Sequence, residues 1–376
     1  MASTGVTGLR FGGDDVSYLR SESGAAALAA VAQLELTDAS RVSDVAAVRA
    51  RFGDRAAVLV ETTLLRRRAV DKLSALGPDF NLSDWLYTDE ALQQATAAPV
   101  ALHRAGRLAQ AGAVVHDATC SIGTELAALH RVGVRTVGSD TDAVRLAMAR
   151  HNVGSVADLC RADALRLVTR DTVVVADPAR RAGGRRRFHV DDYEPRLGRL
   201  IDAYRDREYA VKCAPGIDFE GIRRLGFDGE IEVTSYRGSV REACLWSAGL
   251  AQRGVGRRAS ILDRNEELTD DEPDECPVRP PGRWIVDPDG AVVRAGLVRH
   301  YGARHGLWQL DPDIAYLSGD RLPPGVRGFE VLEQVVFDER RLRRALSALD
   351  CGPLEILIRG VRADPDGLRR RLRPRG

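Results

Sequence analysis

Apolar residues recur at helical spacing in the first part of the chain. The segments 42–48 and 58–70 place apolar side chains three and four positions apart with charged residues between them, which is the pattern of a helix that buries one face. Residues 1–14 show no such period. The pattern predicts a small N-terminal helical domain over residues 1–90.

Short runs of β-branched residues replace this pattern from about residue 101 to residue 248. Helical patterns lie between the runs, as at 124–131 and 142–151. The runs predicted to form strands are 113–116, 134–137, 156–160, 172–176, 209–212 and 231–234. Strands that alternate with helices form a parallel sheet with helices on both faces, so we predict an α/β core over residues 91–253.

A polar, acidic and then proline-rich stretch follows at about 254–281, which is typical of a linker or an exposed loop. Beyond it, apolar runs and helical patterns alternate again. They lie at 284–286, 329–332, 338–349, 354–358 and 364–372. We predict a small α+β domain over residues 254–376, and we expect that its fold is incomplete at the C-terminal end because the chain stops soon after a basic helix.

Composition agrees with a globular protein, since 44% of the residues are hydrophobic and 29% are charged. No run approaches the roughly 18 apolar residues that a membrane helix needs, and the N-terminus does not resemble a signal peptide. We therefore expect a cytoplasmic protein. The six cysteines show no metal-ligand spacing, which predicts reduced thiols and no metal site.

Arginine clusters at two places, 180–187 and 340–375, although the net charge is only +1. Basic clusters are typical of nucleic-acid binding. Lysine occurs only at Lys72 and Lys212, so the abundance of arginine can also reflect the base composition of the genome. The number of arginines is therefore a weak argument by itself.

The candidate chemistry begins where the first predicted strand ends, at Asp117. A turn of mostly small residues leads from it through Gly123 to a helix that begins at Thr124. Ligands bind beyond the carboxyl ends of such strands, and small residues let the backbone come close to them. The G-x-G-x-x-G pattern of dinucleotide sites is absent. A carboxylate at this place suits a cofactor with a cationic amino group, such as S-adenosylmethionine.

Further acidic residues follow in order at the ends of later strands. Asp140, with Asp142 as the weaker candidate, lies where a carboxylate accepts hydrogen bonds from ribose hydroxyls. Asp163 follows the third strand, where an adenine amino group can donate to it. Each acid alone is equally well explained as a helix cap, but three in order favour a nucleoside cofactor.

The fourth predicted strand ends in Asp177-Pro178-Ala179-Arg180-Arg181. With this motif the ordered set resembles the class I Rossmann-like methyltransferases, in particular those that act on RNA and whose fourth motif begins Asp-Pro-Pro. The segment 117–124 is similar to the D-P-x-C-G-S-G-T form of their first motif, and 138–152 is similar to G-x-D-x-D…A-x-x-N. Ser121 stands where that family has glycine, and Ala179 stands where it has the second proline.

The resemblance implies S-adenosylmethionine as the cofactor and a catalytic set of Asp177, Pro178 and Arg180. Asp177 and the adjacent carbonyls would hold a nucleophilic amine in line with the methyl group, while Arg180 or Arg181 would hold a phosphate or a base edge. Residues 180–187 are equally well explained as a solvated loop. The implied cofactor contacts are Asp117, Thr119, Cys120, Gly123, Thr124, Asp140, Thr141, Asp163 and Ala164.

The fifth predicted strand leads into Lys212-Cys213, which invites comparison with the uracil C5 methyltransferases. Those enzymes attack the base with a cysteine, and a thiolate beside Lys212 is chemically reasonable. A lone cysteine after a buried strand is more often a packing residue, and the sequence offers no evident general base.

The order of the three predicted domains resembles methyltransferases with a THUMP-like C-terminal domain. The run 354–358, Arg359-Gly360-Val361 and the basic helix carry that part of the resemblance. It implies RNA as the partner, with the C-terminal arginines on phosphates. The favoured function is N-directed methylation of a base in structured tRNA or rRNA. The alternatives are a non-catalytic RNA-binding protein on this fold, a uracil C5 methyltransferase, and a methyltransferase of protein or of a small molecule.

Overall fold

Helices form the first part of the chain, as the apolar spacing predicts. The computed structural model describes residues 9–166, 168–180, 190–358 and 364–372. Ser21 and Thr88 begin two of the helices by accepting hydrogen bonds from the amides of Gly24 and Ala91. The helices are α1 (Gly13–Leu19), α2 (Glu22–Ala32), α3 (Arg41–Phe52), α4 (Ala56–Leu73), α5 (Asp89–Gln94) and α6 (Ala98–Ala109).

Strands and helices then alternate. The strands are β1 (Val115–Asp117), β2 (Thr136–Asp140), β3 (Ala157–Arg161), β4 (Val173–Ala176), β5 (Ala179–Arg180), β6 (Tyr193–Glu194), β7 (Tyr209–Cys213), β8 (Glu230–Tyr236) and β9 (Ser239–Trp246). The helices between them are α7 (Thr124–Arg131), α8 (Ala143–Val153), α9 (Leu197–Ala203) and α10 (Phe219–Arg224). Strand β9, which the sequence analysis did not predict, follows a tight turn in which Arg237 and Gly238 both have positive φ.

In the part of the main sheet that residues 115–246 form, the strands have the order β3-β2-β1-β4-β7-β9-β8. Strands β1, β2, β3, β4 and β7 are parallel to one another, whereas β9 is antiparallel to β7 and to β8. The chain first builds outward from β1 to β3 and then crosses back to β4, so the strand order reverses between β1 and β4. Ligands bind in the crevice at such a reversal, beyond the carboxyl ends of the strands.

Helices pack on both faces of this sheet. One hydrophobic cluster joins Leu65 of α4 and Leu108 of α6 to Val115 and Trp246 of the sheet. A second cluster covers the opposite face, where α9 and α10 pack on side chains such as Val211. The predicted α/β Rossmann-like sheet with helices on both faces is thereby confirmed.

Contacts group the chain into two compact units, one that ends at Gly256 and one that begins at Arg257. The N-terminal helices belong to the same unit as the sheet. Asn152 of α8 joins them, because its side-chain amide accepts from the amide of Leu86 and donates to the carbonyl of Leu86 (2.8 and 2.9 Å). The division into three domains at residues 90 and 253 stays a prediction.

The second unit mixes short strands and helices. Its elements are β10 (Arg257–Ile261), β11 (Glu266–Thr269), β12 (Trp284–Val286), α11 (Gly290–Arg294), α12 (Val298–His305), β13 (Trp308–Gln309), β14 (Leu317–Gly319), β15 (Gly328–Glu330), α13 (Glu339–Ala348) and α14 (Pro365–Leu372). Strands β10 and β11 form an antiparallel hairpin, and an antiparallel sheet has the order β13-β14-β12-β15.

The strand predicted at 354–358 is wrong for the described part of the chain, where these residues join no sheet. Their side chains alternate between half-buried and exposed, so the apolar period is present, but the structure assigns no strand to these five residues. Among the helices that the structure describes, none has the length and apolar character needed to cross a membrane.

Candidate active site

Asp117 ends β1 at the point where the strand order reverses, and it is buried. Its Oδ1 accepts a hydrogen bond from the amide of Thr119 (3.1 Å). Burial, followed by the nearby carboxylate of Glu125, raises the pKa of Asp117 to about 8. A carboxyl group in this environment gains most from a cation, so the amino group of S-adenosylmethionine fits it.

The turn after Asp117 leaves little room for side chains. The amide of Cys120 donates to the carbonyl of Ser139 on β2 (2.9 Å), which holds the turn against the sheet. Gly123 has a φ of 92°, and a Cβ there would lie 2.8 Å from Cγ1 of Val153. Ser121 also has a positive φ, of 48°, which accounts for the glycine that the family has at this place.

Thr124, the first residue of α7, also indicates that a ligand binds at this turn. Its hydroxyl oxygen is buried and has no hydrogen-bond partner in the part of the chain that the structure describes. Buried hydroxyls are normally paired. A polar group of a bound cofactor would satisfy this one.

Asp140 ends β2 beside the turn. Its Oδ2 accepts from the amide of Ser121 and its Oδ1 from the amide of Asp142, both at 2.9 Å. A carboxylate has about four acceptor positions, so both oxygens can still accept from the two hydroxyls of a ribose. Asp142 instead caps α8 through the amides of Val144 and Arg145, which gives the weaker candidate a structural role.

The remaining predicted cofactor residues lie at the adjacent strand ends. Thr141 is exposed after β2, and its carbonyl accepts from Nε of Arg161 (2.9 Å). Asp163 is exposed after β3 and caps its own turn through the amide of Leu165 (2.9 Å). Ala164 is buried, and its carbonyl accepts from the hydroxyl of Tyr204 (2.9 Å). All three therefore lie at the edge of the sheet where the crevice opens.

Asp177 follows β4 and is tied to the turn after β1 and to β7. Its amide donates to Oγ1 of Thr119 (2.7 Å), and its Oδ2 accepts from Nζ of Lys212 on β7 (2.5 Å). The side chain of Asp177 is 43% exposed, whereas that of Lys212 is only 10% exposed. The carboxylate of Asp177 therefore reaches solvent, while the buried ammonium of Lys212 holds one of its oxygens.

Pro178 is buried next to Asp177, and Ala179–Arg180 pair with Tyr193–Glu194 as the ladder β5–β6. The side chain of Arg180 and residues 181–189, with the predicted arginines 181 and 185–187, lie outside the described residues. Their predicted contacts with a phosphate or a base edge stay predictions.

A buried ionic cluster near the site was missed by the sequence analysis. Arg104 of α6 donates to both carboxylate oxygens of Glu125 on α7 and to Glu242 on β9. Burial alone would lower the pKa of Arg104, but the two carboxylates raise it above its ordinary value. The sequence signal for this cluster was the position of Arg104, which lies among Ala101, Ala105 and Leu108 on the apolar face of its helix.

Cys213 lies on the face of β7 opposite to Lys212, within the hydrophobic cluster that α9 and α10 cover. Burial raises the pKa of its thiol well above the ordinary range, and the carboxylates of Asp177 and Glu242 add to the shift. A thiol held neutral in an apolar cluster is a poor nucleophile.

The sheet order with one antiparallel strand, the acids at the ends of β1, β2 and β3, and the Asp-Pro turn after β4 together define a class I methyltransferase fold. Comparison with known proteins adds the family. A THUMP domain-like family model matches residues 326–376, and a domain of unknown function (DUF8688) matches residues 13–69.

Two proteins of Mycobacterium tuberculosis, from strains CDC 1551 / Oshkosh and ATCC 25618 / H37Rv, are each 75% identical to this chain over 332 residues. The match covers 88% of this chain and 92% of theirs, and both are named uncharacterized S-adenosylmethionine-dependent methyltransferases. The crystal structure of a putative methyltransferase from Porphyromonas gingivalis W83 has the same fold, with a TM-score of 0.74 over 97% of this chain and 93% of that one at 18% identity.

The chain belongs to the S-adenosylmethionine-dependent methyltransferases. The predicted family, the predicted cofactor and the THUMP-like C-terminal part are thus confirmed.

Proposed function

We propose that this protein methylates a nitrogen atom of a base in structured RNA, either tRNA or rRNA, and that it does so in the cytoplasm. The observation that carries the proposal is the exposed carboxylate of Asp177, held by Lys212 at the carboxyl end of β4. It lies across the strand-order reversal from Asp117, the proposed contact of the cofactor amino group.

The proposed cofactor contacts divide the ligand among the strand ends. Asp117 takes the amino group, Asp140 the ribose hydroxyls and Asp163 the adenine amino group. The turn residues Thr119, Cys120, Gly123 and Thr124 line the approach to the sulfonium end, and Thr141 and Ala164 flank the nucleoside. Bound S-adenosylmethionine supplies an electrophilic methyl group.

Asp177 gives the proposed reaction its preference for nitrogen. An ionised carboxylate only accepts hydrogen bonds, so the group it orients must donate, as an exocyclic amine does. Holding that amine in line is a matter of position more than of proton transfer. The burial of Cys213 argues against the alternative of attack on a uracil by a thiolate.

The proposal of RNA as the substrate rests on the second unit. Its end matches a THUMP-like family model, and α13 has four arginines in ten residues. Arg340, Arg341 and Arg344 are exposed and form no ion pair with a described residue, whereas the arginines of α14 pair with Asp364, Asp366 and Glu339. Exposed, unpaired arginines are suited to phosphates.

Mass spectrometry of nucleosides from cells with and without the gene tests the proposal. We expect one N-methylated nucleoside to disappear from tRNA or rRNA, to return with the wild-type gene, and to stay absent with Asp177→Asn. The matched control is Asp202→Asn, because Asp202 is exposed on α9 and pairs with Arg205 (2.5 Å) outside the proposed site. Loss of 5-methyluridine would instead indicate Cys213, and an unchanged nucleoside profile would contradict the proposed substrate.

A further inference from the structure

Lysine is rare enough in this chain for its position to be informative. The 55 basic residues include only two lysines, Lys72 and Lys212. Both lie in the unit that holds the candidate site, and the pKa of Lys72 is lowered by burial and then by the nearby charge of Lys212. Arginine serves at nearly every other basic position, so the physical difference between the two side chains should matter at Lys212.

Lys212 differs from an exposed basic residue in its surroundings. It is the fourth residue of β7, it is buried, and its ammonium contacts Oδ2 of Asp177 at 2.5 Å. A single short contact of this kind fixes one oxygen of the carboxylate. The other oxygen, Oδ1, has no hydrogen bond to a described residue, so it remains an acceptor on the exposed side.

A second contact fixes the backbone of the same residue. The Thr119 hydroxyl accepts from the amide of Asp177 at 2.7 Å. With its amide held from the turn after β1 and one carboxylate oxygen held from β7, Asp177 has little freedom to rotate. The direction of Oδ1 is then determined before a substrate arrives.

We propose that Lys212 is the positioning residue that holds the carboxylate of Asp177 towards the target amine. The inference rests on the proposed role of Asp177. Lys212 itself touches neither substrate nor cofactor in this scheme; it acts through Asp177 by occupying one oxygen and leaving the other for the amine.

The neighbours of Lys212 explain why the residue is lysine. Arg104 already places a guanidinium in this buried region, and a second planar fork with five donors would compete with it for the same acids. A compact ammonium on a flexible stem meets one oxygen without that conflict. The charged groups that face Lys212 are Asp177 from β4, Asp117 from β1, Glu242 from β9, Arg104 from α6, Glu125 from α7 and Lys72 from α4.

The scarcity of lysine makes the ion pair directly measurable. Protein labelled with ¹³C at lysine Cε gives two NMR signals, which Lys72→Arg assigns. We expect the Lys72 signal to titrate near pH 8, and the Lys212 signal to titrate above the ordinary lysine range. Burial and the charge of Arg104 lower the pKa of Lys212, and the carboxylate of Asp177 raises it. Asp177→Asn removes that carboxylate, so the pKa of Lys212 falls while that of Lys72 changes little. An unchanged Lys212 titration in Asp177→Asn would overturn the inference.

Kinetics test the positioning role. In Lys212→Met we expect kcat to fall about 100-fold, with the KM for S-adenosylmethionine and the affinity for S-adenosylhomocysteine unchanged within about twofold. We expect no recovery in Lys212→Arg, and no further loss when Lys212→Met is added to Asp177→Asn.

The outcomes separate this inference from the proposed function. If wild-type protein methylates no RNA, the proposed substrate fails, and the NMR titration still decides whether Asp177 and Lys212 are coupled. If wild-type protein methylates RNA and Lys212→Met does so with the same kcat, the positioning role is overturned while the proposed function stands.

Discussion

At the scale of single residues, the acids were the most predictable part of the site. Asp117, Asp140 and Asp177 each follow a short apolar run, and parallel strands bring their carboxyl ends to one edge of a sheet. The contact of Lys212 with Asp177 could not be predicted in this way. It joins side chains 35 positions apart whose meeting depends on the pairing of β4 with β7.

The environment of Asp117 predicts that cofactor binding is linked to a proton. With a pKa of about 8 the carboxyl group is mostly protonated at pH 7, whereas a bound ammonium favours the ionised form. Binding should therefore release a proton at pH 7, and affinity should rise as pH increases towards 8. Calorimetry with S-adenosylhomocysteine in buffers of different ionisation enthalpy measures this release.

Asp117→Asn is the control for that measurement, because it keeps the shape of the side chain and removes the ionisation. We expect about tenfold or greater loss of affinity, about 1.4 kcal/mol or more, and a smaller proton release. Equal proton release in the wild type and the variant would show that Asp117 does not ionise on binding.

At the scale of elements, the side-chain contacts of α6 explain why β9 could not be predicted from the sequence. The strand has an Arg-Glu pair at its centre, which does not look like a buried strand, yet Glu242 is buried because Arg104 lies opposite it. The same helix directs Arg107 to Glu230 and Glu232 of β8 at 2.8 Å. A residue 138 positions away in the sequence thus decides whether the strand can be buried.

Removing Arg104 should therefore cost much stability. Arg104→Met leaves the carboxylates of Glu125 and Glu242 buried without their common cation, so we expect the free energy of unfolding to fall by about 3–5 kcal/mol. Urea denaturation followed by circular dichroism measures the change as a lower midpoint at constant slope.

Arg41→Met is the matched control, because Arg41 pairs with Asp38 at 3.5 Å on the surface of α3 and both side chains are more than half exposed. Its effect should stay below about 0.5 kcal/mol. Similar losses in the two variants would mean that the buried cluster contributes no more than a surface pair.

At the scale of the whole molecule, the second unit was harder to predict than the first. The acidic and proline-rich stretch that begins near residue 254 predicts a change of domain, and that boundary stays a prediction. The predicted strand at 354–358 failed because an apolar period shows which side chains are buried, but not whether another strand pairs with them.

If α13 contacts RNA phosphates as proposed, it should contribute a salt-dependent part of the affinity for RNA. Replacing Arg340, Arg341 and Arg344 by alanine should weaken RNA binding and reduce the slope of log affinity against log salt by about two, because three phosphate contacts are lost. Fluorescence anisotropy with labelled tRNA over a range of salt concentrations gives the slope.

The affinity for S-adenosylhomocysteine should not change in that triple variant, since α13 belongs to the other compact unit. Alanine at Arg41, Arg49 and Arg51 of α3 removes the same charge elsewhere and serves as the control. If both triple variants changed the slope equally, the effect would be one of net charge and not of a binding surface.

The hydroxyl of Thr119 has a consequence for how the two ligands share the protein. It belongs to the turn proposed to receive the cofactor, yet it holds the backbone of the residue proposed to receive the target. The cofactor and the target would thus contact opposite sides of the backbone that this hydrogen bond joins. The conformational entropy of that backbone is lost on folding, so neither ligand has to order it on binding.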